Sequence, residues 1–164
     1  MASPETFSQS AKDLSAKIDQ TLLKPEATPQ DVTQFCEQAK SYGFYSVCIN
    51  PSYVTLADEL LMVSDTKVCT VVGFPLGANE TQVKAFEAHC AVEQGAQELD
   101  MVINIGALKA EKYNLVQADI AAVVEASQEV PVKVILETGF LTDSEIQRSC
   151  ALAAQAGAKF VKTC

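Results

Sequence analysis

Leu99-Asp-Met-Val-Ile103 sets one carboxylate inside an otherwise apolar run. The run follows Gly95, a helix stop, and has the length of a strand buried on both faces. A charge in such a strand must be paired or neutralised, because desolvating a lone ion is costly. Two later runs repeat the anomaly: Val132-Lys-Val-Ile-Leu-Glu137 and Phe160-Val-Lys-Thr163. Asp100, Lys133, Glu137 and Lys162 thus lie in or at the ends of three successive apolar strands.

Outward from these runs the chain alternates between strand-like and helix-like segments. Strands are expected near Ile18 and over 46–49, 68–72, 99–103, 132–136 and 159–164. Thr28 caps a helix that has Pro29 at its first position. Val32, Phe35, Cys36 and Ala39 then share its apolar face, and Gly43 ends it. Pro51 opens a second helix. Asn79 caps a third, with Val83, Phe86 and Cys90 as its apolar positions. A helix over 112–127 carries Val116, Ile120, Val123 and Val124. Thr142 and Glu145 form a capping box for the next helix, which Gly157 ends.

Strands alternating with helices imply right-handed βαβ crossovers and a parallel sheet. A doubly wound sheet would carry a Gly-rich phosphate loop after its first strand, and none is present. Gly73-Phe-Pro-Leu-Gly77 lacks the Lys-Ser/Thr that nucleotide phosphates require. A barrel turns alternate strand residues inward and gathers chemistry at strand C-termini. The charged strand residues favour that architecture. The expected fold class is α/β, of the (β/α)8 TIM-barrel family, with about six parallel strands of an incomplete barrel.

Two lysines and an aspartate facing inward suit imine chemistry. A Schiff-base lysine attacks as the free amine, whereas an unperturbed ammonium has a pKa of about 10.4. Poising it near neutrality costs about 4 kcal/mol of ammonium stability, which burial and a second cation both supply. Lys162 fits the nucleophile, Lys133 the second cation, and Asp100 a proton relay.

The 164 residues carry 21 acidic and 12 basic side chains, a formal net charge of −9. That balance argues against nucleic acid and anionic membranes as partners. Among six cysteines there is no CxxC pair, and there is one histidine, which disfavours a Cys/His zinc site. No secretory leader or membrane-length apolar run is seen. Reduced thiols in the cytoplasm follow as the expectation, with Cys164 as a candidate for cross-linking. Residues 1–13 read as a polar tail or short leading helix, and 14–164 as the barrel domain. His89 reads as a surface residue of the third helix.

Taken together, six segments resemble deoxyribose-phosphate aldolases of the DeoC type. They are Lys17-Ile-Asp-Gln-Thr-Leu-Leu-Lys-Pro25, Ser46-Val-Cys-Ile-Asn-Pro51, Val71-Val-Gly-Phe-Pro-Leu-Gly-Ala78, Glu98-Leu-Asp-Met-Val-Ile-Asn-Ile-Gly-Ala-Leu-Lys109, Val132-Lys-Val-Ile-Leu-Glu-Thr138 and Phe160-Val-Lys-Thr163. The resemblance implies a class I carbon–carbon lyase using neither metal nor cofactor. Its reaction is the reversible cleavage of 2-deoxy-D-ribose 5-phosphate to glyceraldehyde 3-phosphate and acetaldehyde. By motif, Lys162 is the Schiff-base nucleophile, Asp100 the acid/base and Lys133 an accessory lysine, while Asp19, Thr21 and Cys48 line the substrate pocket. Gln20 stands where many members have histidine. The family pattern continues past Lys162-Thr163, so strands seven and eight, a further lysine and the phosphate loops are expected to be missing. The partners implied are a phosphorylated sugar and other copies of the chain. The alternative expectation is a catalytically inactive barrel fragment that self-associates through open sheet edges.

Overall fold

A computed structural model describes residues 9–163. The first eight residues of the expected tail and Cys164, with its possible cross-link, lie outside the described residues. By its contacts the chain divides into two compact units, residues up to Thr70 with Gln94–Ala96, and Val71–Glu93 with Gln97 onward.

The first unit opens with α1 (Gln9–Ser15), then β1 (Asp19–Leu22), α2 (Pro29–Tyr42), β2 (Ser46–Ile49), α3 (Val54–Leu61) and β3 (Lys67–Val72), whose last two residues belong to the second unit. β1 pairs β2 in parallel, with Asp19 opposite Ser46 and Thr21 opposite Cys48. β2 pairs β3 likewise, with Cys48 opposite Cys69. Thr28 caps α2 through a capping box with Asp31, and Gly43 closes it in the left-handed region at φ 65°. Val32, Cys36 and Ala39 are fully buried, whereas Phe35 is only half-covered. Pro51 begins a single 3-10 turn, Pro51–Tyr53, so the helix proper starts three residues later than expected.

The second unit holds α4 (Thr81–Glu93), β4 (Glu98–Val102), α5 (Ile105–Lys109), α6 (Tyr113–Ala126), β5 (Val132–Ile135), α7 (Asp143–Gln155) and β6 (Phe160–Lys162). β4, β5 and β6 run parallel in that order. α7 starts on the expected capping box, with the Thr142 side chain accepting from Glu145 N–H and the Glu145 carboxylate accepting from Thr142 N–H. α5 is unforeseen; Asn104 caps it by accepting from Ala107 N–H.

The apolar face expected for α4 is corrected. Val83 and Phe86 are 52% and 68% exposed, and the buried positions are Lys84, Ala88 and Ala91. Their spacing of four and three keeps one helical stripe, but a lysine occupies its first place. Asn79 also stands too early to cap this helix, because Lys84 N–H donates to the carbonyl of Glu80. His89 is exposed, as expected.

Candidate active site

Strand alternation sets the site. Glu98 and Asp100 project to the same face of β4 because successive strand residues alternate. Across the ladder, Asp100 stands opposite Lys133 on β5, and Ile135, two further along β5, stands opposite Lys162 on β6. Residues 100, 133 and 162 therefore converge on one face from three adjacent strands.

Asp100 is the hub. Its Oδ1 accepts from Lys133 Nζ at 2.8 Å, and its Oδ2 accepts from Lys162 Nζ at 2.8 Å. Lys133 Nζ also donates to Glu98 Oε1, and lies 5.8 Å from the centre of the Phe160 ring. Two carboxylates face two lysines, so neither sign is left in formal excess among these four groups. Asp100 and Glu98 are inaccessible to water, while the Lys162 side chain keeps 25% of its surface. Full coverage of the strand charges is thus found for Asp100 and nearly so for Lys133, but not for Lys162. The reason is local: among the described residues β6 has β5 on one side only, and Phe160 and Val161 beside Lys162 are themselves exposed.

This arrangement joins a reachable amine to a buried carboxylate at hydrogen-bond distance. Proton exchange between the two needs no movement, and Lys133 fixes the carboxylate from its other oxygen. Glu98 is the member that sequence reasoning overlooks. Its signal is its position two residues before Asp100, which dictates a shared face. Glu137 follows β5 with a left-handed backbone at φ 55°, so it is not a strand residue.

Asp19, Thr21 and Cys48 occupy the first unit. Alternation and register put them on one face of β1 and β2, where Asp19 Oδ1 accepts from Ser46 Oγ at 2.7 Å. Cys48 is fully buried and Thr21 is exposed. Gln20, on the opposite face of β1, donates to Gln38 Oε1 of α2.

Residues 14–164 match the model of the DeoC/LacD family of aldolases. The chain belongs to this family. It is 55% identical over 150 residues to the deoxyribose-phosphate aldolase of Streptococcus sanguinis, and 58% identical over 150 residues to that of Streptococcus gordonii. Each match covers 92% of this chain and 68% of the relative. Among solved structures, the tetrameric deoxyribose phosphate aldolase from Aeropyrum pernix superposes with a TM-score of 0.86 at 34% identity, covering 93% of this chain and 64% of that one. The chain thus spans about two thirds of the length of these relatives. The likeness supports the TIM-barrel fold class expected from the internal charges, and the described residues hold six strands, parallel within each unit. No helix among the described residues is long and apolar enough to cross a membrane.

Proposed function

We propose that this DeoC-family chain carries the imine-forming machinery of a class I deoxyribose-phosphate aldolase. In this reading the substrate is open-chain 2-deoxy-D-ribose 5-phosphate. The amine of Lys162 adds to its C1 aldehyde, giving a carbinolamine. Asp100, taking the proton from the attacking nitrogen, returns one to the carbinolamine hydroxyl as it departs as water. The resulting iminium is an electron sink. Asp100, again a carboxylate, takes the C3 hydroxyl proton as the C3 carbonyl forms and the C2–C3 bond breaks, and the bonding pair flows into the iminium to give an enamine. Glyceraldehyde 3-phosphate leaves. Protonation of the enamine at C2 and addition of water then release acetaldehyde and restore Lys162.

The observation that carries this reading is the shared carboxylate: one oxygen of Asp100 is held by Lys133 while the other meets Lys162 Nζ at 2.8 Å. Lys133 is the accessory lysine, orienting Asp100 and placing a second cation on the carboxylate that Lys162 shares. Asp19, Thr21 and Cys48 are assigned to the substrate pocket by motif. The same reading carries homo-oligomerisation. Cytoplasmic location fits the free cysteines of the described chain.

Acetaldehyde release from 2-deoxy-D-ribose 5-phosphate, followed with the native chain and with Lys162→Met, tests the proposal. Release that the substitution abolishes supports it. Equal release by both proteins overturns it.

A further inference from the structure

Lys84 is the largest side chain fully buried among the described residues, and the imine chemistry gives it no task. Its Nζ donates to Asp119 Oδ2 on α6 at 2.7 Å and to the carbonyl of Val102 at 3.2 Å. Asp119 Oδ1 in turn accepts from Thr81 Oγ1 at 2.9 Å. The pair is 0% and 1% exposed, so both charges are desolvated. Its alkyl stem lies against Gly73, where an added Cβ would come within 2.9 Å of Lys84 Cε.

A buried ion pair seldom adds net stability over apolar side chains of similar volume, so packing alone gives no reason for one. Its distinctive product is a fixed position for a backbone group. Val102 ends β4, two residues beyond Asp100. In the ladder Val102 stands opposite Ile135, which stands opposite Lys162. The carbonyl that Lys84 grips is therefore in the same row as the proposed nucleophile, and one strand repeat from the hub carboxylate. The next residue is pinned as well. Ile103 N–H donates to Ile135 O at 3.0 Å, and Gly77 seats so closely on Ile103 that a Cβ there would lie 2.1 Å from its carbonyl oxygen.

We propose that Lys84, held by Asp119, is a positioning residue for Asp100. It anchors the end of β4 to α4 and α6, so that the carboxylate keeps both lysines at 2.8 Å. This inference rests on the reading that Lys162 captures an aldehyde.

The test compares the native chain with Lys84→Met/Asp119→Leu, which removes both charges at similar volume. Two quantities are read: borohydride trapping of acetaldehyde on Lys162 at a series of concentrations and pH values, and amide exchange at Ile103. The expected result is a folded double variant whose saturating trapping rate falls about tenfold or more, with a displaced pH profile. Its half-saturating acetaldehyde concentration stays within about twofold, and Ile103 exchanges faster. A native trapping rate together with native Ile103 protection overturns the proposal. If the double variant fails to fold, Thr81→Ala removes only the hydroxyl that holds Asp119. A fall in saturating rate of about twofold to fivefold then supports the anchor, and an unchanged rate overturns it. If the native chain traps no aldehyde, the imine reading fails separately and Ile103 exchange decides: faster exchange in the variant supports the anchor, unchanged exchange overturns it.

Discussion

Asp100 stands directly opposite Lys133 in the parallel ladder of β4 and β5, and the two side chains meet at 2.8 Å with the carboxylate inaccessible to water. The relationship ties the chemistry to strand register. A one-residue slip would send one partner to the other face of the sheet.

Replacing Asp100 with Asn preserves shape while removing the charge that Lys133 and Lys162 share. Aldehyde capture by Lys162 is expected to slow by about 100-fold, the usual scale for losing a positioned acid/base. Stopped borohydride trapping followed by intact mass measures this, with circular dichroism confirming that the chain remains folded.

Glu98→Gln tests the carboxylate that completes the cluster. Lys133 then depends on Asp100 for its charged partner within the four-residue group, and its hydrogen bond to position 98 loses charge assistance. The expected cost is about 1–3 kcal/mol of unfolding free energy, read from urea denaturation, because the affected groups are buried. A midpoint equal to that of the native chain would remove Glu98 from the account.

Much of this was legible from sequence, for local reasons. The Thr28 cap with Pro29 behind it and the capping box at Thr142 are read from a few consecutive residues, and both form as expected; the reciprocal bond from Asp31 at the Thr28 cap is an addition. The apolar runs around Asp100, Lys133 and Lys162 likewise mark all three as strand residues. What escaped is what long-range pairing decides. Lys84 looks like a solvated helix residue until Asp119, 35 positions later, arrives beside it. Val83 and Phe86 look like core, yet α4 turns them outward so that this ion pair can face in. Glu98 is hidden because the apolar run begins only at Leu99, while the strand begins one residue earlier.

The Lys109 ammonium and the Thr142 N–H hold the Glu145 carboxyl at about 2, against an ordinary 4.5. A depressed carboxyl stabilises the fold above its unfolded value, and that contribution is lost as pH falls through its folded value. The melting-temperature difference between the native chain and Glu145→Gln should therefore be constant above about 4.5 and vanish as pH approaches 2. A difference that does not change across that window contradicts the assignment.

Burial pushes the Cys36 thiol up to about 11. Cys48 and Cys69 are buried too, whereas Cys90 and Cys150 are partly accessible. Among the five described cysteines, brief alkylation of the folded chain at pH 8 should label Cys90 and Cys150 first, with Cys36 reacting only after denaturation. Peptide mapping by mass spectrometry checks the order.

Gly77→Ala should be among the most damaging single-methyl additions. The backbone there has φ +64°, and the new Cβ would lie 2.1 Å from the Ile103 carbonyl oxygen. A loss of at least about 2 kcal/mol is expected from strain and overpacking together. Gly139→Ala is the control, since nothing lies within 4 Å of an added Cβ. Paired urea melts distinguish the two.

Reductive trapping with acetaldehyde and borohydride, followed by peptide mapping, addresses the imine directly. The account predicts one reduced two-carbon adduct, on the peptide containing Lys162, lost in Lys162→Met and strongly reduced in Asp100→Asn. A folded chain that acquires no adduct, or acquires it evenly over its surface lysines, would contradict the claim that Lys162 is the aldehyde-capturing amine.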